Sequence, residues 1–417
     1  MKIVWLGGIV LPQIAIKEKM DVSNANGWLV NLSEILGKKE KIELIYLFDA
    51  DKKIFGEVNA YKYYGVKCNK ATKKKLGKNY KNQLIEILKQ EKPDIVHIWG
   101  TEGSHSLAML EVCDELNILE KAVVSIQGLV EKYSNHYTAY LPFSVCHTIS
   151  IKDILQGDIS RRQKEFKIRG LIENETLSMA KNVIGRTDWD RGCVWDVNPE
   201  AKYFFNNETL REEFYTGVWS YDKCAKHTIF CSQAYNPIKG AHLLLEALPR
   251  IKDVYPDVKV YIGGKDYTKI PKWKQNGYEK YLLKKIKEYN LSDNVIFTDY
   301  LNANEMKEHY LKANVFVSTS VIENSPNSVG EAMILGVPVI SSRVGGVHNM
   351  LRHGIEGYLY PADETYMLSY YVCKIFADSI EATILGQKAR EHALVTHNPD
   401  INIDELLKIY KIISTMH

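Results

Sequence analysis

The stretch VFVSTSVIENSPNSVGEAMILGVPVISS, residues 315–342, decides the fold. Asn314–Ser318 is apolar and β-branched, short enough for a buried strand. Val329–Gly336 has helical spacing, and Val337–Ser341 is strand-like again. Strand, loop, helix and strand in that order make the repeating unit of a parallel α/β sheet. The loop carries Glu323, and the polar turn Ser325-Pro326-Asn327-Ser328 leads into a helix with Glu331 in its expected first turn. Asn327 or Ser328 is the natural N-cap, and a carboxylate in the first turn suits the helix dipole. Such a helix end offers backbone N–H groups to an anion. Two carboxylates separated by seven residues across this junction can each grip a diol, one on a sugar ring and one on a ribose. Taken singly, Glu331 is also explained as a helix carboxylate and Glu323 as a solvated loop residue. The neighbouring motifs tip the balance.

Outward from this stretch the same alternation continues in both directions. The second half predicts strands at Thr228–Ser232, Val258–Gly263 and Asn294–Thr298, with helices at Ala241–Tyr255, Tyr278–Tyr289 and Ala303–Lys312. The first half predicts strands at Lys2–Leu6, Glu43–Phe48, Asp94–Trp99, Ala122–Gln127, Val183–Gly185 and Lys202–Phe205. Between them fall helices near Asn26–Leu36, Asn82–Gln90, Ser104–Asn117, Leu171–Lys181 and Asp188–Asp196, the last capped by Thr187. The polar stretch Trp219–His227 reads as a linker and Ile403–Met416 as a final helix. The expected architecture is α/β: a Rossmann-like domain over 1–218, a linker over 219–227, a second Rossmann-like domain over 228–395, and a C-terminal helix over 396–417. Ligands of such domains sit at the carboxyl ends of the strands.

Three further motifs fall at such ends. In TIFCSQAYNPIKGAHLLLEALPRI, residues 228–251, a strand runs into a turn at Asn236-Pro237, and Lys239-Gly240 opens a helix. A lysine there works against the helix dipole and makes sense if it reaches a bound anion, although a solvated lysine beside a turn is the plainer alternative. VYIGGKD, residues 260–266, turns off its strand at Gly263-Gly264. SSRVGGVHNMLRHGIEGYLYPADE, residues 341–364, places Gly345-Gly346 after a strand and then Gly354 and Gly357.

Lys-Gly opening a helix, Glu-x7-Glu across a loop–helix junction, GVPVISSRVGGV and HGIEGYLYPAD, in that order, resemble the retaining glycosyltransferases of family 4. The stretch 185–215 resembles bacterial members that build capsular or exopolysaccharides. The resemblance implies the GT-B fold, two Rossmann-like domains facing across a cleft with the last helix crossing back to the N-terminal domain. It also implies a cytoplasmic, metal-independent enzyme that moves a hexosyl unit from a nucleoside diphosphate sugar, with UDP preferred, to a glycan or lipid-linked saccharide. By that resemblance Glu323 contacts the hexose, Glu331 holds the ribose, Lys239 neutralises the diphosphate, and the amides of Asn327 and Ser328 bind the sugar or β-phosphate. Gly264 and the Gly7-Gly8 loop join the donor side. Where the family commonly has an arginine five residues before the lysine the chain has Ala234, and where it often has a cleft histidine the chain has Gln127.

On the acceptor side the loop Gly100–His105 follows a buried strand, so Glu102 or His105 is placed to orient an acceptor hydroxyl; His105 as a plain helical residue is the alternative. His97, inside the strand DIVHIWG, reads as a core histidine. Asp49-Ala50-Asp51 is the one triplet that suits a metal-dependent GT-A-type transferase, since Asp188-Trp189-Asp190 starts a helix where acids are favoured anyway. A catalytically weak nucleotide-sugar-binding partner of another transferase is the reading from another class, resting on Ala234 and Gln127. Residues 130–170 lack clean periodicity, and Tyr133, Tyr137, Tyr140 and Phe143 there suit an acceptor lid, a peripheral membrane contact or local packing. The basic run Lys70, Lys73, Lys74, Lys75, Lys78 and Lys81 reads as a solvated face, with contact to anionic lipid or a polyprenyl diphosphate acceptor as the alternative.

Bulk composition fits this picture. A chain of 417 residues with a net charge of +3 has no concentrated basic footprint for nucleic acid. Seven scattered cysteines with no CxxC spacing suggest neither a disulfide framework nor a zinc site, and fit a reducing compartment. No cofactor or metal is expected beyond the sugar nucleotide.

Overall fold

Runs such as Ile3–Leu6 and Ile95–Trp99 are apolar on both faces and need cover on both sides, which central strands of a parallel sheet provide. The computed structural model describes residues 1–21, 27–58, 61–68, 75–148, 150–233 and 235–415. The expected parallel strands form two separate sheets. The first contains β1 (Lys2–Gly7), β2 (Glu43–Ala50), β3 (Ile54–Val58), β4 (Tyr61–Lys67), β5 (Ile95–Trp99), β6 (Ala122–Ser125), β7 (Asn182–Gly185) and β8 (Lys202–Phe205). Its order is β3-β4-β2-β1-β5-β6-β7-β8, parallel except for the β3–β4 hairpin at one edge. The second contains β9 (Thr228–Cys231), β10 (Lys259–Ile262), β11 (Val295–Phe297), β12 (Val315–Ser318), β13 (Val339–Ser342) and β14 (Tyr358–Tyr360). It is wholly parallel in the order β11-β10-β9-β12-β13-β14.

Each sheet reverses its winding once, between β1 and β5 in the first and between β9 and β12 in the second. Loops on either side of such a reversal part at the carboxyl edge and leave room for a ligand. The single-sheet GT-A alternative is set aside by the two sheets.

The chain divides into two compact units whose boundaries differ from those expected. The first comprises 1–131, 167–209 and 397–417, and the second 132–166 and 210–396. Residues 132–166 join the second unit because their polar groups are used there. Ser150 and Asp153 form a capping box, Asp153 also accepts from Gly277 N at 2.9 Å, and Lys152 pairs with Glu279 at 2.8 Å. Trp219–His227 is no free linker. Trp219 donates its backbone N–H to Leu335 O and its indole N–H to Ala313 O, at 2.8 and 2.7 Å.

The last helix, Pro399–Thr415, packs into the first unit, burying Ile403, Leu406, Ile409, Tyr410 and Ile413. Its anchor is polar: the Tyr410 hydroxyl accepts from Trp5 Nε1 at 2.9 Å and pairs with His97 Nδ1 at 2.5 Å. His97 Nε2 bonds Ser125 Oγ at 2.7 Å, so it is the satisfied core histidine expected, with burial holding its pKa well below the usual value. Thr187 caps its helix as expected, and Asp190 completes that box instead of facing a metal.

Tyr410→Phe leaves Trp5 Nε1 and His97 Nδ1 buried without this partner. It is expected to lower stability by about 1–3 kcal/mol in urea unfolding; an unchanged midpoint would contradict this role of the hydroxyl.

Candidate functional site

In the second unit, β9 and β12 end side by side, and their loops carry Lys239 and Glu323. Asn236 caps the short turn Pro237–Lys239, and Gly240 at φ +67° starts the helix Ala241–Val254. Lys239 therefore precedes the helix and does not open it. The turn is pinned to the β12 loop by Val321 N donating to Ile238 O at 2.8 Å and Thr319 Oγ1 to Lys239 O at 3.1 Å. A Cβ on Gly240 would fall 1.9 Å from Thr319 O, so both the backbone angle and the close approach require glycine. Gly345 plays the same part for Glu323: its φ is +48° and a Cβ would lie 1.9 Å from Glu323 O.

So fixed, Lys239 Nζ and Glu323 Oε1 meet at 2.6 Å, and Ser320 Oγ donates to the same oxygen at 2.8 Å. Burial pulls the Lys239 pKa down, but the Glu323 carboxylate outweighs it and leaves the pKa raised. The ammonium is charged at neutral pH. Around the pair lies a small polar pocket lined also by Ser232, Gln233, Ser320 and Ser328. At its rim the helix Asn327–Leu335 begins, with Pro326 as N-cap and no side-chain cap bond. Neither Asn327 nor Ser328 caps it, because the helix starts earlier than the periodicity suggested. Their N–H groups occupy the first helical positions, which have no intrahelical acceptor. Gly264, at φ +111°, bridges to Asp299 at the end of β10, and a Cβ there would meet open space.

The earlier helix start moves Glu331 out of the first turn. It is 4% exposed, and its Oε1 accepts from Arg211 Nε and Nη2 at 2.9 and 2.7 Å. Burial pushes its carboxyl pKa up and Arg211 draws it partly back. Arg211 also lies over the Phe214 ring at 4.7 Å. Among the described residues Glu331 Oε2 meets the Tyr310 hydroxyl at 3.4 Å, and that hydroxyl also donates to Ser328 O at 2.9 Å. Sequence reasoning missed Arg211: its partner lies 120 residues away, and no local pattern marks it. Ala234 lies outside the described residues.

In the first unit, β1 and β5 end side by side; Gly7 closes β1, and the loops after the two strands carry Gly8, Glu102 and His105. The His105 ring lies 3.6 Å from where a Gly8 Cβ would be, and its Nδ1 is 3.4 Å from Asp49 Oδ2. Tyr80 donates to Asp49 Oδ1 at 2.6 Å, so Asp49 is engaged by protein groups. Among the described residues no three His, Cys, Asp or Glu side chains cluster as metal ligands. Glu102 folds back over its own loop and accepts from Thr101 N at 3.1 Å. Beneath it the fully buried Glu173 accepts from Thr101 Oγ1 at 2.6 Å and Glu131 N at 2.9 Å. Burial is the main cause that pushes the Glu173 carboxyl up to about 7, with the Glu102 charge adding to it. Gln127 follows β6 near the buried Glu208 carboxyl, which pairs with Arg186 at 2.7 Å, and the buried Gln127 Nε2 has no hydrogen-bond partner among the described residues. Of the basic run, Lys75 pairs with Glu175 and Lys81 with Glu111, while Lys70, Lys73 and Lys74 lie outside the described residues.

Residues 223–392 match the family model for glycosyl transferases group 1. Spore coat protein SA of Bacillus subtilis (strain 168) is 28% identical over 181 residues, 42% of this chain and 46% of that protein. The matched stretches span about 40–46% of the lengths of such curated relatives. Sucrose-phosphate synthase from Thermosynechococcus elongatus has a similar fold, with a TM-score of 0.71 at 17% identity and 100% of each chain covered. Anabaena HepE in complex with UDP and glucose gives 0.67 at 13% identity and 99% of each chain. Both structural likenesses are to transferases of the GT-B type.

Two variants test the geometry. Arg211→Met strands a buried carboxylate and is expected to cost about 3–5 kcal/mol in urea unfolding, with Glu331→Gln added in the same chain recovering much of it; simple additivity would contradict the pairing. Glu173 holds its proton to higher pH folded than unfolded, so the folded state binds more protons between the ordinary glutamate value of 4.5 and about 7. Stability from this group is therefore present below that window and falls as pH rises through it, by roughly 3 kcal/mol. Glu173→Gln should flatten that slope in urea unfolding at pH values on either side.

Proposed function

We propose, for a chain whose second unit carries a glycosyl transferases group 1 domain, that it moves a hexosyl unit from a UDP-sugar to a glycan or lipid-linked saccharide with retention at the anomeric carbon. The observation that carries this is the Lys239–Glu323 pair in the pocket where β9 and β12 end. A donor diphosphate offers Lys239 a stronger anion than Glu323. Once released, Glu323 accepts hydrogen bonds from the hexose hydroxyls. The N–H groups of Asn327 and Ser328 add the partial positive charge of a helix end to the phosphate. Glu331, with one oxygen held by Arg211, offers the other to the ribose.

In the reaction, the bond from the anomeric carbon to the β-phosphate oxygen breaks as the acceptor hydroxyl forms its own bond on the same face. The hydroxyl proton passes to the departing phosphate. Fixed cations and helix-end amides that stabilise charge as it builds on the leaving group are the main source of rate. No residue here needs a metal for that step, and none is proposed. Glu102 and His105 are the acceptor-orienting candidates, and Gly7, Gly8 and Gln127 of the first unit are further donor-binding candidates. The UDP preference is supported by HepE, whose structure holds UDP and glucose. A role in surface polysaccharide synthesis at the cytoplasmic side of a membrane, with peripheral contact, completes the reading. No helix among the described residues is long and apolar enough to cross a membrane.

Nucleotide release from UDP-, GDP- and ADP-sugars, with EDTA present, is expected for one UDP-sugar. Glu323→Gln and Lys239→Ala should each lower it by at least about a hundredfold. Tight donor binding without release, in the presence of saccharide acceptors, would point instead to a non-catalytic partner of another transferase.

A further inference from the structure

The segment 132–166 spends its acidic groups inward and its apolar groups outward. Asp153 is 5% exposed and consumed by two caps, and Glu279, which faces it across the packing, is 6% exposed and held by Lys152. On the outer side of the short helix Ile151–Gln156, Ile151, Ile154 and Leu155 are 58%, 68% and 79% exposed. This helix packs against the turn Lys272–Lys274, whose Trp273 is 59% exposed with Lys274 over its ring at 4.8 Å. Lys272 and Lys274 are exposed, whereas Arg161 at the helix end folds against Gly157 and pairs with Glu165 at 3.9 Å.

Four large apolar side chains are thus presented on two elements packed together, with Lys272 and Lys274 exposed beside them and Asp153 and Glu279 turned inside. A protein interface of ordinary composition has a polar rim of both signs. Apolar side chains, a tryptophan and two exposed lysines match the boundary of an anionic bilayer, where aliphatic groups enter the acyl region and lysines meet headgroups. The basic run near Lys75 and Lys81 differs, because those two lysines are paired with glutamates.

We propose that the face formed by Ile151, Ile154, Leu155 and Trp273 docks the chain on an anionic lipid surface. This deepens the reading of peripheral membrane contact by naming the surface that makes it. It requires no donor, so it is tested apart from the transfer reaction.

The experiment is flotation of the full chain with neutral phosphatidylcholine vesicles and with vesicles holding about 30% phosphatidylglycerol. The chain is expected to float with the anionic vesicles and to be released by raising salt to about 0.5 M, which screens the lysines. Ile154→Asp with Leu155→Asp, and separately Lys272→Glu with Lys274→Glu, should each weaken partition by about tenfold or more. Both variants alter only exposed side chains, and retention of the wild-type melting temperature shows that they fold. If the wild type stays with neither vesicle, membrane contact itself is overturned. If it floats and the variants float equally, contact stands and this surface is wrong. A wild-type dimer that the aspartate variant makes monomeric would assign the face to a second copy and overturn the proposal.

Discussion

A lysine and a glutamate drawn partly out of water at the end of a parallel sheet must satisfy each other until a ligand replaces one of them. Lys239 and Glu323 stand in that relation at 2.6 Å, and much of the second unit exists to keep them there. The winding reversal between β9 and β12 parts the two loops, while Gly240 and Gly345 let each backbone approach its neighbour more closely than any side chain would allow. Breaking such a pair by removing one member leaves an uncompensated charge. On the proposed reading, a diphosphate that takes Lys239 leaves Glu323 to Ser320 Oγ and the hexose hydroxyls.

The same economy recurs around it. Glu331 is buried only because Arg211 supplies two donors to one oxygen, leaving the other oxygen lightly used. In the first unit the loop after β5 is set by Glu173 below, through Thr101 and the Glu131 backbone. Tyr410 ties the last helix to Trp5 and His97 by the same kind of buried polar contact. Polar groups inside each unit are met by residues distant in sequence, and these contacts hold the loops that carry chemistry.

That distance explains what the sequence disclosed. Strands β1, β2, β5 to β7, β9, β12 and β13 were legible because buried parallel strands are continuous apolar runs, and the partly exposed β8, β10 and β11 were legible from their short apolar runs between helical segments. The hairpin β3–β4 was not, since β3 at the sheet edge is half exposed and lacks the apolar run. The excursion over 132–166 was opaque because its helices Phe143–Cys146 and Ile151–Gln156 are short and the second keeps apolar side chains outward. Lys239 and Glu323 were visible as motif residues, but their mutual pairing was not. Arg211 carried no local signal, and the starting point of the helix at Asn327 was misjudged because Pro326 fills the N-cap position, where Asn327 or Ser328 had been expected.

The central claim is that the Lys239–Glu323 pair opens to admit a diphosphate at the β9–β12 reversal. A crystal structure of the chain with UDP tests it most directly. The account predicts the β-phosphate within hydrogen-bonding distance of Lys239 Nζ, the Lys239–Glu323 contact lengthened beyond an ion pair, and a ribose hydroxyl on Glu331 Oε2. UDP bound elsewhere, or bound here with the pair intact, would contradict it.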